Sequence, residues 1–147
     1  MTMLEIAAES HRSFALIHFA GGSSCQVDIF RPGEYTLEDK LSAAETFLGG
    51  GTNFERPIRE VIQLMDTEGF EKADVVFITD GECELPDVCQ QELQSAQATY
   101  HFTVTGILLD EGNAGMDFSL KPFCQEIYRT SELTDNAVVE SVIGLLV

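Results

Sequence analysis

Asp80 stands where an apolar run stops. Val75-Val76-Phe77-Ile78-Thr79 is continuous and rich in β-branched residues, and Asp80-Gly81-Glu82 follows at once. A run of this kind, bounded by turn residues, reads as a strand buried on both faces. Such strands belong to parallel sheets, where ligands bind just beyond the carboxyl ends. A carboxylate there can act as an acid, a base or a cation ligand. The competing reading is an ordinary strand-to-helix turn closed by an Asx-type hydrogen bond.

Thr52 is the second candidate. Gly49-Gly50-Gly51 precedes it and Asn53-Phe54 follows. The glycines permit positive φ or close backbone approach, and they deliver a hydroxyl to the start of a helix. Glycine-rich loops before helices often cradle phosphate. This one lacks the lysine of G-x-x-x-x-G-K-[ST], and it follows a helix instead of a strand. A hydroxyl and a carboxylate suit another ligand, since hard divalent cations such as Mg²⁺ take oxygen donors and keep several waters. Glu82, Glu84 and Asp87 surround Asp80 and offer a substitute cation set. They also suit a solvated acidic loop that favours the next helix's N-terminus.

The other reactive residue types are dispersed. His11, His18 and His101 are scattered, and no Ser/His/Asp or Cys/His arrangement follows from spacing. Cys25, Cys83, Cys89 and Cys124 contain no C-x-x-C pair. Cys25 and Cys89 fall on apolar faces and read as small core residues, whereas Cys83 lies in the acidic loop. Reduced thiols are expected. An enzyme reading would make Asp80 the acid of a metal-dependent hydrolase or phosphotransferase. That chemistry needs a nucleophile and basic phosphate-binding groups. Only 8 Lys and Arg are present and none closely flanks Asp80. The expected role is therefore not catalytic.

Strands and helices must position these residues, and the pattern supplies them in alternation. Met1 to His11 reads as a helix. Ser13 to Phe19 reads as a buried strand, and Cys25 to Phe30 alternates like a strand at a sheet edge. Leu37, Leu41, Ala44 and Leu48 form a helical stripe that ends at the glycines. Phe54, Ile58, Val61, Ile62 and Met65 form another, with Pro57 early enough to be tolerated and Thr52 or Asn53 as N-cap. A strand at 74–79 follows. Next come a helix through Cys89, Leu93, Ala96 and Tyr100, a strand at 102–109, a short segment around Leu120 to Cys124, and a short strand at 126–129. A helix from Thr134 to Leu146 closes the chain. Alternation of this kind predicts an α/β layer fold with a mostly parallel sheet.

Composition bounds the rest. The 147 residues, 44% of them hydrophobic, suit one domain over 1–147. A net charge of −17 disfavours nucleic acid and anionic membranes. It suits a cation or a basic protein partner, or solubility alone. No apolar stretch reaches the roughly 18 residues that span a membrane. Met1 to His11 carries acidic residues and no basic leader, so a cytoplasmic location is expected.

Two motifs together resemble the von Willebrand factor A (VWA) domain. They are Gly50-Gly51-Thr52-Asn53-Phe54 before a helix and Val75-Val76-Phe77-Ile78-Thr79-Asp80-Gly81-Glu82 after it. Element order and spacing are similar over essentially the whole chain, and most similar to the bacterial intracellular subgroup associated with MoxR-type AAA+ ATPases. The resemblance implies a Rossmann-like α/β/α sandwich, mostly parallel with one antiparallel edge strand. It implies a protein-interaction module with a metal ion–dependent adhesion site, or MIDAS. In that site Thr52 would ligate Mg²⁺, Asp80 would act directly or through water, and a partner's acidic residue would complete the shell. The family's Asp-x-Ser-x-Ser is absent from this sequence. The resemblance then implies a chain that lacks the first strand and its loop, with Met1 to His11 as the remnant of the first helix. Such a site would bind Mg²⁺ weakly or be a degenerate, metal-free scaffold. The strands at 13–19 and 74–79 would have to pair with each other or take a strand from another molecule, as in a homodimer or swapped assembly.

Overall fold

A computed structural model describes residues 2–109 and 119–131. The chain divides into two compact units, one within Met1–Glu71 and one within Lys72–Leu145. The expected helix from Thr134 to Leu146 lies outside the described residues.

The first unit opens with α1 (Thr2–Glu9) and an antiparallel pair, β1 (Phe14–Phe19) and β2 (Cys25–Phe30). Their register runs from Phe14 opposite Phe30 to Phe19 opposite Cys25. α2 (Leu37–Glu45) begins at a capping box, in which Thr36 and Asp39 exchange hydrogen bonds. Those bonds hold the Asp39 carboxyl below its ordinary range. α3 (Glu55–Met65) buries Pro57, Ile58, Val61 and Met65 on one face. Leu4, Phe30 and Ala43 form the core beside α1 and α2, and Phe14, Leu16 and Tyr35 pack against it. The Phe30 and Tyr35 rings meet edge-on at 5.4 Å.

The α2 stripe expected from sequence is not the buried one. Leu37 and Leu41 are 70% and 53% exposed, and Ala43 is buried instead. The helix stops at Glu45, with Thr46 in an extended conformation, so Leu48 never joins it. Ala43 lies roughly two-fifths of a turn round from the Leu37–Leu41 row, given about 100° per residue. β1 also departs from expectation: every residue in it is half-buried. Among the described residues it hydrogen-bonds to β2 alone.

The second unit holds β3 (Val75–Thr79), α4 (Asp87–Tyr100), β4 (Val104–Leu108) and β5 (Glu126–Arg129). The three strands are parallel in the order β3-β4-β5. The protein is thus a mixed α/β fold, with a parallel sheet and an antiparallel pair. β4 is buried along its whole length. α4 turns Cys89, Leu93 and Ala96 inward and ends at His101 in the left-handed conformation. Gln125 ties down the start of β4. Its side-chain oxygen accepts from the Val104 N–H at 2.8 Å and from Gln97 Nε2 at 3.0 Å. Its own N–H donates to the Val104 carbonyl at 3.0 Å. No described helix is long and apolar enough to cross a membrane.

Gly106, in the middle of β4, lets the 119–124 segment close over the strand. A Cβ there would lie 3.0 Å from Cys124 Sγ and 3.2 Å from Leu120 Cδ1, both on buried residues. Glycine within a strand often marks such an approach. Gly106→Ala is expected to destabilise the fold by about 1–3 kcal/mol through overpacking. Urea denaturation measures this, and an unchanged midpoint would contradict it.

Candidate functional site

The loop carrying Thr52 is shaped by glycine. Gly50 and Gly51 have φ of 103° and 97°, which L side chains rarely adopt. The β1–β2 turn packs against them: a Cβ at Gly21 would run into the Gly50 carbonyl. Two further contacts flank that one. Gln26 Nε2 donates to Thr46 Oγ1 at 3.4 Å before the loop, and Phe54, fully buried, meets Phe19 edge-on at 6.2 Å after it. Thr52 is half-buried between them. Among the described residues its hydroxyl makes no hydrogen bond. It does not cap α3 either. Nor is Asn53 the N-cap: Phe54 holds that position without a side-chain cap bond, and Asn53, one residue earlier, accepts from the Arg56 N–H through Oδ1 at 3.2 Å.

Asp80 sits where the sequence puts it, directly after β3. The loop beyond it is anchored by three hydrogen bonds. Thr79 is buried, and its Oγ1 accepts from the Gly81 N–H at 3.1 Å. The Cys83 N–H donates to the hydroxyl of buried Ser119 at 3.3 Å. Gln90 Nε2 donates to the Leu85 carbonyl at 2.8 Å, and the Leu85 side chain is buried. Asp80 itself is exposed, and its carboxylate has no hydrogen bond or ion pair among the described residues. The Asx-type bond of the competing turn reading does not form among the described residues; the Thr79 hydroxyl bonds to Gly81 instead.

Thr52 belongs to the first unit and Asp80 to the second. Each offers, on its own unit, one hard oxygen of the kind Mg²⁺ takes. The substitute set does not assemble. Among the described residues no three His, Cys, Asp or Glu side chains are placed to hold a metal ion. Glu82 and Glu84 are exposed and alternate with half-buried Cys83 and buried Leu85, so the extended loop sends its acids to solvent.

All four cysteines are free thiols. Cys89 is buried as expected, and Cys25 only half-buried. Burial pushes the Cys25 thiol up, Glu60 adds to that, and Arg56 opposes it. His18 Nε2 is buried without a hydrogen-bond partner among the described residues. Sequence reasoning missed Gly21, Ser119 and Gln125, which hold the loops and β4. Gly21 had a visible signal, a Gly-Gly-Ser-Ser turn. Ser119 and Gln125 had none, because their partners are distant in sequence.

No family model matches the chain, and no solved structure matches it. Two proteins of Methanocaldococcus jannaschii are similar to it. The chain is 26% identical to uncharacterized protein MJ0811 over 136 residues, which cover 92% of this chain and 30% of that relative. It is 33% identical to uncharacterized protein MJ0077 over 85 residues, covering 58% and 20% respectively. The chain therefore spans less than a third of either relative's length.

Burial pushes the Cys124 thiol from its ordinary 9.0 to about 12. Above pH 9.0 the unfolded chain releases a proton that the folded chain keeps. Stability must then fall as pH rises, by up to about 1.4 kcal/mol per pH unit from this group. Denaturation of the wild type and Cys124→Ala at about pH 8 and about pH 10 tests the linkage. The variant should lose less stability over that interval, and equal losses would contradict it.

Proposed function

We propose that the chain is a protein-interaction module of VWA type, meeting its partner through the loops at 49–54 and 80–86. One observation carries the reading: each loop is held, the first by backbone contact and the second by side-chain hydrogen bonds, while its donor oxygen stays uncommitted. Groups used only to close a turn would be spent inside the loop, as the Thr79 hydroxyl is. Thr52 and Asp80 are the residues the VWA resemblance assigns to Mg²⁺. The cation would supply the positive charge on which a partner's carboxylate lands. The partner that the resemblance implies is a MoxR-type AAA+ ATPase. A basic surface on it would suit a chain of charge −17. The free thiols suit a reducing, cytoplasmic setting.

A second reading is the metal-free scaffold. In it the same loops bind a partner without a cation. Calorimetric titration with Mg²⁺ and Mn²⁺ separates the two readings. Weak binding is expected, reduced about tenfold or more by Thr52→Ala and by Asp80→Ala, as for loss of a group that tunes a metal site. No heat, or heats unchanged from wild type in both variants, would leave the scaffold reading in place.

A homodimer or strand-swapped assembly is part of the same proposal. Its support is that β1 and β3 each hydrogen-bond to one strand among the described residues, and open edges invite pairing. Sizing over a range of concentrations should give a dimer that dissociates on dilution. A monomer at every concentration rejects it.

A further inference from the structure

We infer that Gly21 is the positioning residue of the Thr52 loop, and that the β1–β2 hairpin is the platform on which that loop is set. The inference rests on the reading of Thr52 as a binding residue and adds what holds it in place.

The hairpin grips the loop at three successive points. Gln26 holds Thr46 at its start, Gly21 lies against Gly50 and Gly51 at its middle, and Phe19 packs on Phe54 at its end. The middle contact is backbone on backbone and admits no Cβ on Gly21. It falls just before Thr52, at the residues whose φ of 103° and 97° aim the chain. The turn itself is tied by the Ala20 N–H donating to the Ser24 carbonyl at 3.1 Å and the Ser24 N–H donating to the Gly21 carbonyl at 3.3 Å. A side chain at Gly21 cannot be absorbed by rotating a rotamer, because the atom it meets is a carbonyl oxygen. The Thr52 loop must move instead.

Gly22 is the internal control. It belongs to the same turn and has a φ of +64°, but a Cβ there meets nothing within 4 Å. Gly22→Ala strains the turn without pressing on the loop.

Amide spectra of the full chain read loop position without needing a ligand. Gly21→Ala should shift the amide resonances of Gly50 to Phe54, and Gly22→Ala should leave them in place. If both variants shift them alike, or neither does, the inference is overturned. Should Gly21→Ala not fold, wild-type Hα–Hα nuclear Overhauser effects between Gly21 and Gly51 decide, and their absence overturns it. Mn²⁺ titration adds the functional arm. Gly21→Ala should weaken binding about tenfold, with Gly21→Ala/Thr52→Ala no weaker than Thr52→Ala alone. Wild-type affinity in Gly21→Ala beside a loss in Thr52→Ala overturns the inference and leaves the binding reading standing. No Mn²⁺ effect from Thr52→Ala, with the Gly50 to Phe54 shifts present, rejects the binding reading and keeps Gly21 as the loop's positioning residue.

Discussion

The first unit depends on a close approach of two backbones, Gly21 against Gly50 and Gly51. A side chain on Gly21 would run into the Gly50 carbonyl, and one on Gly50 or Gly51 would be strained at their φ of 103° and 97°. With glycine at these positions, Phe54 reaches Phe19 and becomes fully buried. α3 then lays Ile58, Val61 and Met65 into the unit. The same contact leaves the Thr52 hydroxyl on a fixed stretch of chain with nothing local to bond. A donor held in place but unspent loses little further conformational freedom when a ligand arrives.

The second unit reaches a similar result by different means. There the loop after β3 is tied by side chains: Thr79 to Gly81, Ser119 to Cys83, and Gln90 to Leu85. β4, buried along its length, is the rigid centre, and Gly106 lets the 119–124 segment cover it. Asp80 is the group left over at the strand's end. Each unit therefore presents one oxygen from a loop that has been immobilised by its neighbours.

Much of this was readable from residue pattern. β2 and β5 fall on their expected ranges, and α4 and the α/β alternation follow from apolar spacing. α4 has one buried face, Cys89, Leu93 and Ala96, which period alone reveals. α2 shows where the method stops. Its leucine row is regular, yet Ala43 is the residue that fits against Leu4 and Phe30, and only packing can decide that. β1 reads as an interior strand because it is apolar on both faces, but strand neighbours depend on topology. Thr52 and Asp80 stood out because glycine and turn chemistry mark them locally. Gly21, Ser119 and Gln125 act on residues far along the chain, so their roles could emerge only from the fold.

The central claim is that Thr52 and Asp80 offer uncommitted oxygens to a divalent cation. Paramagnetic broadening of amide signals by substoichiometric Mn²⁺ addresses it most directly. The account predicts that broadening begins at the amides of Thr52 and Asp80 and fades with distance from each. Broadening centred instead on Glu82, Glu84 and Asp87, or spread evenly over the acidic surface, would contradict it.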